Sequence, residues 1–144
     1  MEVGVLIFLS SGLFLGWALG ANDAANVFGT AVGTRMVNFT TAAIICSIFV
    51  ILGAVISGAG AAHTLGKLGA VNALPGAFMA AFAAALALYL MTKAGLPVST
   101  SQAIVGAIIG WNLFTNTVTD AATLTKIMST WVLCPILAAI FSAI

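Results

Sequence analysis

Long runs of apolar residues, separated by short polar stretches, account for most of this chain. A run of about 20 predominantly apolar residues is long enough to cross the hydrocarbon core of a bilayer as an α-helix. On this pattern we predict about five membrane segments in a single membrane domain, at residues 3–34, 39–58, 71–92, 99–114 and 126–144. A transmembrane barrel is excluded because its strands give short alternating segments, whereas these runs are long and unbroken. The chain is therefore predicted to be an all-α integral membrane protein, a polytopic helical bundle.

The composition agrees with this fold class. Of the 144 residues, 62% are hydrophobic and 5% are charged, and the mean hydropathy is +1.24. Soluble domains carry about 25% charged residues, so a soluble protein is excluded. The net charge of +1 gives no surface for nucleic acid. The lipid bilayer is the expected surrounding, and the predicted location is the cell membrane.

One polar stretch interrupts the first segment, at residues 20–30 (GANDAANVFGT). It contains Asp23, and no other acidic residue occurs between positions 2 and 120. A carboxylate at membrane depth is costly and indicates a functional site. Asn22, Asn26 and Thr30 recur at intervals of four, which places their side chains on one helix face. The stretch is therefore predicted to gather polar groups inside the membrane.

Two helices are expected to start in apolar surroundings. The first segment should be broken near residues 20–23, because glycine permits a break and asparagine or aspartate caps the helix that follows. A second polar stretch, residues 95–102 (GLPVSTSQ), precedes the fourth segment. Pro97 prevents a helix from continuing smoothly through it, and Ser99 with Gln102 fits a capping box. The fourth segment is therefore predicted to start as a helix at Ser99.

Helix N-termini of this kind bind anions, because free N–H groups and the positive end of the helix dipole face the ligand. Transporters present such termini of discontinuous helices to anionic substrates near the bilayer midplane. Neither polar stretch contains a basic side chain, so recognition would rest on hydroxyls, amides and backbone. The candidate substrate-binding residues are Asp23, Asn26, Thr30, Ser99, Thr100, Ser101 and Gln102.

An ionised Asp23 would repel an anion bound beside it. Either the carboxyl group is protonated, which gives proton coupling, or a cation lies between it and the substrate. Side-chain amide oxygens suit a hard cation, so the candidate cation ligands are Asn22, Asp23 and Asn26. We favour the cation, with sodium as the coupling ion and no enzymatic cofactor. Such linkage between two bound ions is what symport requires.

Three stretches of the chain resemble signatures of the PiT family of inorganic phosphate transporters. Residues 20–30 resemble its first signature, and residues 97–107 (PVSTSQAIVGA) are similar to its second. Residues 129–135 (STWVLCP) are similar to a later Ser-Trp…Ser-Pro element. The three stretches occur in the family's order and cover most of the chain.

The resemblance implies sodium- or proton-coupled uptake of inorganic phosphate by two inverted repeats, in a homodimeric transporter. Each repeat would carry one copy of the first signature, and this chain has one copy. We therefore expect residues 1–144 to be one half of such a transporter, truncated before a second inverted repeat. The departures from the family pattern are Thr130, Cys134, and Ser101-Gln102 where the family often has Thr-His.

Cation-coupled phosphate symport is the predicted function. Sulfate permeation and proton-coupled phosphate symport by the same fold are the alternatives within the transporter class. A channel-like or purely structural membrane subunit is the alternative from another class. An enzyme is not expected, because the sequence contains no nucleophile–base pair, metal cluster or nucleotide-binding loop. The four basic residues are too few to determine the orientation in the membrane.

Overall fold

The structure, a computed structural model, describes residues 2–69 and 74–143. Its regular elements are five helices: α1 (Glu2–Gly33), α2 (Phe39–Leu68), α3 (Leu74–Lys93), α4 (Thr100–Phe114) and α5 (Ala121–Ser142). Four of them, α1, α2, α3 and α5, are long and apolar enough to cross a membrane. The predicted all-α membrane fold is confirmed. With 15 residues, α4 is only about 22 Å long, against about 30 Å of hydrocarbon core.

The predicted break near residues 20–23 is wrong, because α1 is one uninterrupted helix of 32 residues. A glycine such as Gly20 costs only about 1 kcal/mol in a helix interior, which does not suffice to end it. The side chain of Asn22 bonds to the side chains of Thr92 and Asn26 and does not cap the backbone. The Asn22 side chain therefore does not compete with the main-chain hydrogen bonds of α1.

The second helix is longer than the predicted span 39–58, since α2 continues to Leu68. The glycines at positions 58, 60 and 66 remain helical because the end of α2 is held by packing. Leu68 is fully buried in the core, and Leu65 packs against it. The start of the third segment was predicted at residue 71, which lies outside the described residues.

The last helix starts earlier than the predicted residue 126 because Asp120 caps it. The Asp120 carboxylate accepts hydrogen bonds from the backbone N–H groups of Ala122 and Thr123, at 3.3 and 3.2 Å. Bonds from the Thr123 side chain and backbone lower the pKa of this carboxyl below its ordinary value of 3.8. The stabilisation by the cap is thus present at neutral pH and is lost as the pH falls through the lowered pKa. Pro135 lies inside α5 without ending it.

The third helix is the centre of the bundle and packs against both α1 and α4. Its buried positions are mostly small, which lets neighbouring backbones approach closely: Gly76, Ala80, Ala84, Ala85 and Leu88. Gly76 lies against the Trp111 ring of α4, and an added Cβ would be 3.0 Å from that ring. The alanine-rich sequence of this segment therefore serves helix packing.

Aromatic side chains of α1 pack against aromatic side chains of α3. Phe8 packs against Phe78, with ring centroids 5.9 Å apart. Further along both helices, Trp17 packs against Tyr89 at the same centroid distance of 5.9 Å. Because later residues of α1 meet later residues of α3, the two helices run parallel. Their C-terminal ends consequently lie at the same end of the bundle.

A buried asparagine joins α4 to the end of α2. The Asn112 Nδ2 donates to the Leu68 carbonyl at 3.3 Å and to the Thr119 hydroxyl at 2.9 Å. The same Leu68 carbonyl accepts a bond from the backbone N–H of Asp120 at 3.3 Å. A Cβ on Gly69 would lie 2.4 Å from the Asn112 amide, so a side chain there would displace it. This corner holds the C-terminal end of α4 against α2.

Candidate functional site

A tight turn ends α3 beside the first polar stretch. Gly95 has a φ of 73°, a left-handed conformation that glycine adopts without the cost that a Cβ imposes. Its N–H donates to the Thr92 carbonyl at 3.0 Å, and the N–H of Leu96 donates to the Met91 carbonyl at 2.9 Å. These two bonds define a Schellman motif. The turn therefore fixes both the end of α3 and the direction of the chain that follows.

The next helix starts where the sequence predicts it. Pro97 precedes the start, and Ser99 has the extended backbone of an N-cap, with φ −81° and ψ 119°. The Ser99 hydroxyl accepts a hydrogen bond from the backbone N–H of Gln102 at 3.4 Å. Thr100 is then the first residue of α4. The predicted helix start at Ser99 is confirmed.

Asp23 on α1 and Thr100 on α4 are joined by a hydrogen bond. The Thr100 hydroxyl donates to the Asp23 Oδ1 at 2.9 Å, across 77 positions of sequence. Both residues are half-buried. The two polar stretches are therefore in contact, and the first turn of α4, with its free N–H groups, lies beside the carboxylate.

Asn22 makes two further hydrogen bonds, one of which ties the same part of α1 to α3. Asn22 is buried, with 5% of its surface exposed. Its Nδ2 donates to the Thr92 hydroxyl oxygen at 3.1 Å. Its Oδ1 accepts a bond from the Asn26 Nδ2 at 3.0 Å. Both oxygen and nitrogen of this buried amide are thus engaged, and α1 is held to the last turn of α3.

The other predicted site residues do not all join this cluster. The Ser99 hydroxyl is used in the helix cap, where it accepts from the backbone N–H of Gln102. The side chain of Gln102 is exposed. Ser101 lines a separate groove of about 330 Å³ together with residues of α2 and α5 such as Thr64 and Trp131. Thr30 is exposed two turns further along α1. The structure therefore brings together Asn22, Asp23, Asn26 and Thr100.

Asp23 also lines an open groove of about 800 Å³ between α1 and α2. The walls are small or apolar, among them Gly16, Gly20, Ala24, Phe28, Ala43 and Cys46. Of the described residues that line this groove, Asp23 is the single charged one. Across residues 2–69 and 74–143, no group of three or more His, Cys, Asp and Glu side chains could hold a metal ion. A cation here would therefore depend on one carboxylate and on neutral oxygens.

Sequence analysis missed Thr92, which accepts the bond from Asn22. Thr92 ends an alanine-rich segment that is typical of a helix-packing surface, so its context favours a structural role. One signal does exist in the sequence. Thr92 is the last hydroxyl-bearing residue before Gly95, and a glycine just past a helix end marks the turn that closes α3.

Comparison with known proteins finds relatives that are all named as phosphate transporters or permeases. The phosphate transporter family profile matches residues 19–144. A protein provisionally named phosphate permease from Thermococcus kodakarensis is 32% identical over 99% of this chain and 37% of its own length. A protein of the same provisional name from Pyrococcus furiosus is 34% identical over 96% of this chain and 36% of its own length. No solved structure matches the chain.

A plant protein is also among the relatives. Inorganic phosphate transporter 2-1, a chloroplastic protein of Arabidopsis thaliana, is 32% identical over 91% of this chain and 24% of its own length. The chain thus spans less than two fifths of the length of each of these curated relatives. The family profile includes both polar stretches of the site and most of the chain, and the family comprises transporters, not enzymes. The chain is therefore a multi-pass membrane protein that belongs to the phosphate transporter family.

Proposed function

We propose that this chain forms part of a cation-coupled transporter of inorganic phosphate, with sodium as the coupling ion. Family membership supports phosphate as the substrate. The observation that carries the proposal is the hydrogen bond from the Thr100 hydroxyl to Asp23, because it joins an acidic residue to the start of a helix. The helix start supplies anion-binding groups and the acid supplies a cation ligand.

The Thr100 hydroxyl gives this contact a coupling role. A hydroxyl has one hydrogen to donate, so Thr100 can donate either to the Asp23 carboxylate or to a bound phosphate oxygen, and not to both. A cation bound to Asp23 would weaken the hydrogen bond that the carboxylate accepts from Thr100. It would also remove the repulsion between the carboxylate and the anion. Phosphate binding would then be favoured only when the cation is present. Such conditional binding is the thermodynamic basis of symport.

Two side-chain oxygens in this stretch of α1, one from Asp23 and one from Asn26, are the proposed ligands of the cation. The Asp23 Oδ2 is not used in the bond to Thr100. The Asn26 Oδ1 is left open, because Asn26 bonds to Asn22 through its Nδ2. Asn22 was predicted as a third ligand, but its Oδ1 already accepts the bond from Asn26. We therefore assign Asp23 and Asn26 to the cation, and Asn22 to holding Asn26 in place.

A second, inverted repeat would complete the site. The chain covers 37% of the Thermococcus kodakarensis relative, and the groove beside Asp23 is open on the side away from its two helices. Transporters of this kind bind substrate at the interface of two repeats, where the broken or short helices of both converge. We propose that Thr30, Ser101 and the first turn of α4 face that second repeat, in a homodimeric transporter.

Uptake of labelled phosphate into proteoliposomes tests the proposal. The chain, reconstituted together with a polypeptide equivalent to the part of the Thermococcus kodakarensis relative that it does not cover, should accumulate phosphate when sodium is high outside. Accumulation should stop when choline replaces sodium. Excess sulfate should compete weakly. Uptake driven by a pH gradient without sodium would instead indicate proton coupling. Preferential inhibition by sulfate would indicate a sulfate permease, and equilibration without accumulation would indicate a channel.

A further inference from the structure

We infer that the charge of Lys93 attracts phosphate to the proposed site and opposes the binding of the coupling cation. The inference rests on the proposed function, which places both ions beside Asp23. Neither polar stretch of the site contains a basic side chain. The long-range field that favours an approaching anion therefore comes from basic residues outside these stretches. Lys93 acts through this field and contacts neither ion.

The backbone of Lys93 lies next to the contact between α3 and the first polar stretch. Lys93 is the last residue of α3 and directly follows Thr92. The Thr92 hydroxyl oxygen accepts the hydrogen bond of the Asn22 Nδ2 at 3.1 Å, and Asn22 is the neighbour of Asp23 on α1. Consecutive Cα atoms are about 3.8 Å apart. Lys93 is thus one residue away from the contact that holds α3 to the site.

The Lys93 ammonium group lies on the side of α3 that packs against α1. Its Nζ is 5.5 Å from the centroid of the Tyr89 ring, and the Tyr89 ring lies 5.9 Å from that of Trp17 on α1. Trp17 precedes Asn22 by five residues, a rise of about 7.5 Å along the helix. The negative end of the α3 dipole also favours a cation in this last turn. The charge is therefore held at the junction of α1 and α3, close to the polar stretch.

Two other basic residues are remote from the site. Arg35 follows Asp23 by 12 positions, which corresponds to about 18 Å along α1. Lys67 precedes Leu68, whose carbonyl bonds to Asn112, and this corner lies at the opposite end of α4 from the site. The Debye length at physiological ionic strength is about 8 Å, so exposed charges at such separations are largely screened. Of these three residues, Lys93 is the one whose charge reaches the site.

One positive charge has opposite effects on the two ions of the proposed function. It lowers the energy of a phosphate anion in the site and raises the energy of a cation there. A structural defect at the end of α3 would instead weaken the binding of both ions, because both proposed sites depend on the same helix contacts. The sign of the change for each ion therefore distinguishes an electrostatic role of Lys93 from a structural one.

Lys93→Gln tests the inference, because it removes the charge and keeps a polar side chain. The chain is combined with a polypeptide equivalent to the part of the Thermococcus kodakarensis relative that it does not cover. Equilibrium binding is then measured in detergent, for labelled phosphate in saturating sodium and for labelled sodium without phosphate. At a separation on the order of 10 Å, one unit charge changes a binding constant by about two- to four-fold.

We expect Lys93→Gln to lower the affinity for phosphate by about two- to four-fold and to raise the affinity for sodium by up to the same factor. Added choline chloride should reduce both changes, because salt screens exposed charges. Lys93→Arg keeps the charge and should retain both wild-type affinities. Lys67→Gln is the matched control, since it removes the same charge at the opposite end of α4, and it should change neither affinity.

The outcomes separate this inference from the proposed function. If the wild type binds phosphate without any dependence on sodium, both are overturned. If wild-type binding depends on sodium but Lys93→Gln has the wild-type affinity for phosphate, the inference is refuted and the proposed function stands. Weaker binding of both ions by Lys93→Gln would also refute the inference, because it would indicate a structural defect. Equal changes in Lys93→Gln and Lys67→Gln would refute it as well, because net charge and not position would then be responsible.

Discussion

Asp23 is the single residue on which the proposed coupling depends, because it contacts the start of α4 and also lines the groove between α1 and α2. Its cost inside a membrane made it recognisable from the sequence. Thr100 was recognisable as part of a helix start. That these two meet, while Ser101 does not join them, follows from the rotation of α4 about its axis. No local sequence pattern encodes that rotation.

Thr100→Val should weaken phosphate binding, because it removes the hydroxyl proposed to pass from Asp23 to the anion. The expected loss is about 0.5–1.5 kcal/mol, the value of one neutral hydrogen bond. Equilibrium binding of labelled phosphate in sodium measures it. Thr100→Ser keeps the hydroxyl and should bind phosphate as the wild type does.

Ser101→Ala provides the comparison on the next residue. The Ser101 side chain lines a different groove, with residues of α2 and α5. The effect of Ser101→Ala on phosphate affinity should therefore be smaller than that of Thr100→Val. Equal losses for both would contradict the distinct role that we give to Thr100.

Among the helices, the order and membrane character were predictable because they follow from the lengths of apolar runs. Some ends of the helices were predictable, such as the start of α4 at its Ser99 cap and the start of α2 at Phe39, whereas the cap by Asp120 at the start of α5 was missed. The unbroken course of α1 could not be predicted from the sequence, because the Asn22 side chain bonds to partners on α3 and on α1 itself. Sequence near Asn22 gives no sign of a partner 70 positions away.

Gly95→Ala should destabilise the turn that carries the site. An L-residue at a φ of 73° costs about 1 kcal/mol or more relative to glycine. We expect a lower thermal unfolding midpoint in detergent and weaker phosphate binding, since the turn sets the position of both Thr92 and Thr100.

Gly106→Ala is the control for the same chemical change. Gly106 lies inside α4, where an added Cβ would meet nothing within 4 Å. Alanine is favoured over glycine in a helix by up to about 1 kcal/mol, so stability should rise or stay the same. If Gly95→Ala were as stable as Gly106→Ala, the left-handed turn would not be what holds the site.

For the molecule as a whole, most large apolar side chains point outward. Examples with more than 70% of their surface exposed occur on several helices, such as Leu13 at 77%, Val55 at 80% and Phe141 at 72%. In α5 none of the described residues is buried. Lipid covers such surfaces in a membrane, and the proposed second repeat would also cover part of them. The two coverings cannot be told apart from the apolar sequence, because lipid tails and leucine side chains are equally apolar.

Residues 1–144 reconstituted alone, with all copies facing one way, should not accumulate phosphate. The proposed site needs groups from a second, inverted repeat, and this chain covers 37% of the Thermococcus kodakarensis relative. Accumulation should appear on co-reconstitution with a polypeptide equivalent to the part of that relative that this chain does not cover. Sodium-driven accumulation by the isolated, singly oriented chain would contradict the two-repeat arrangement.

The most direct measurement is the affinity for phosphate with sodium and with choline in its place, for the wild type and for Asp23→Asn. Coupling between two ligands is typically about 5- to 150-fold in affinity, so the wild type should bind phosphate more tightly in sodium by a factor in that range. Asp23→Asn removes the proposed cation ligand and the repulsion of the anion together, so its affinity should be the same in both salts. A sodium effect of wild-type size in Asp23→Asn would contradict the role of Asp23 in coupling.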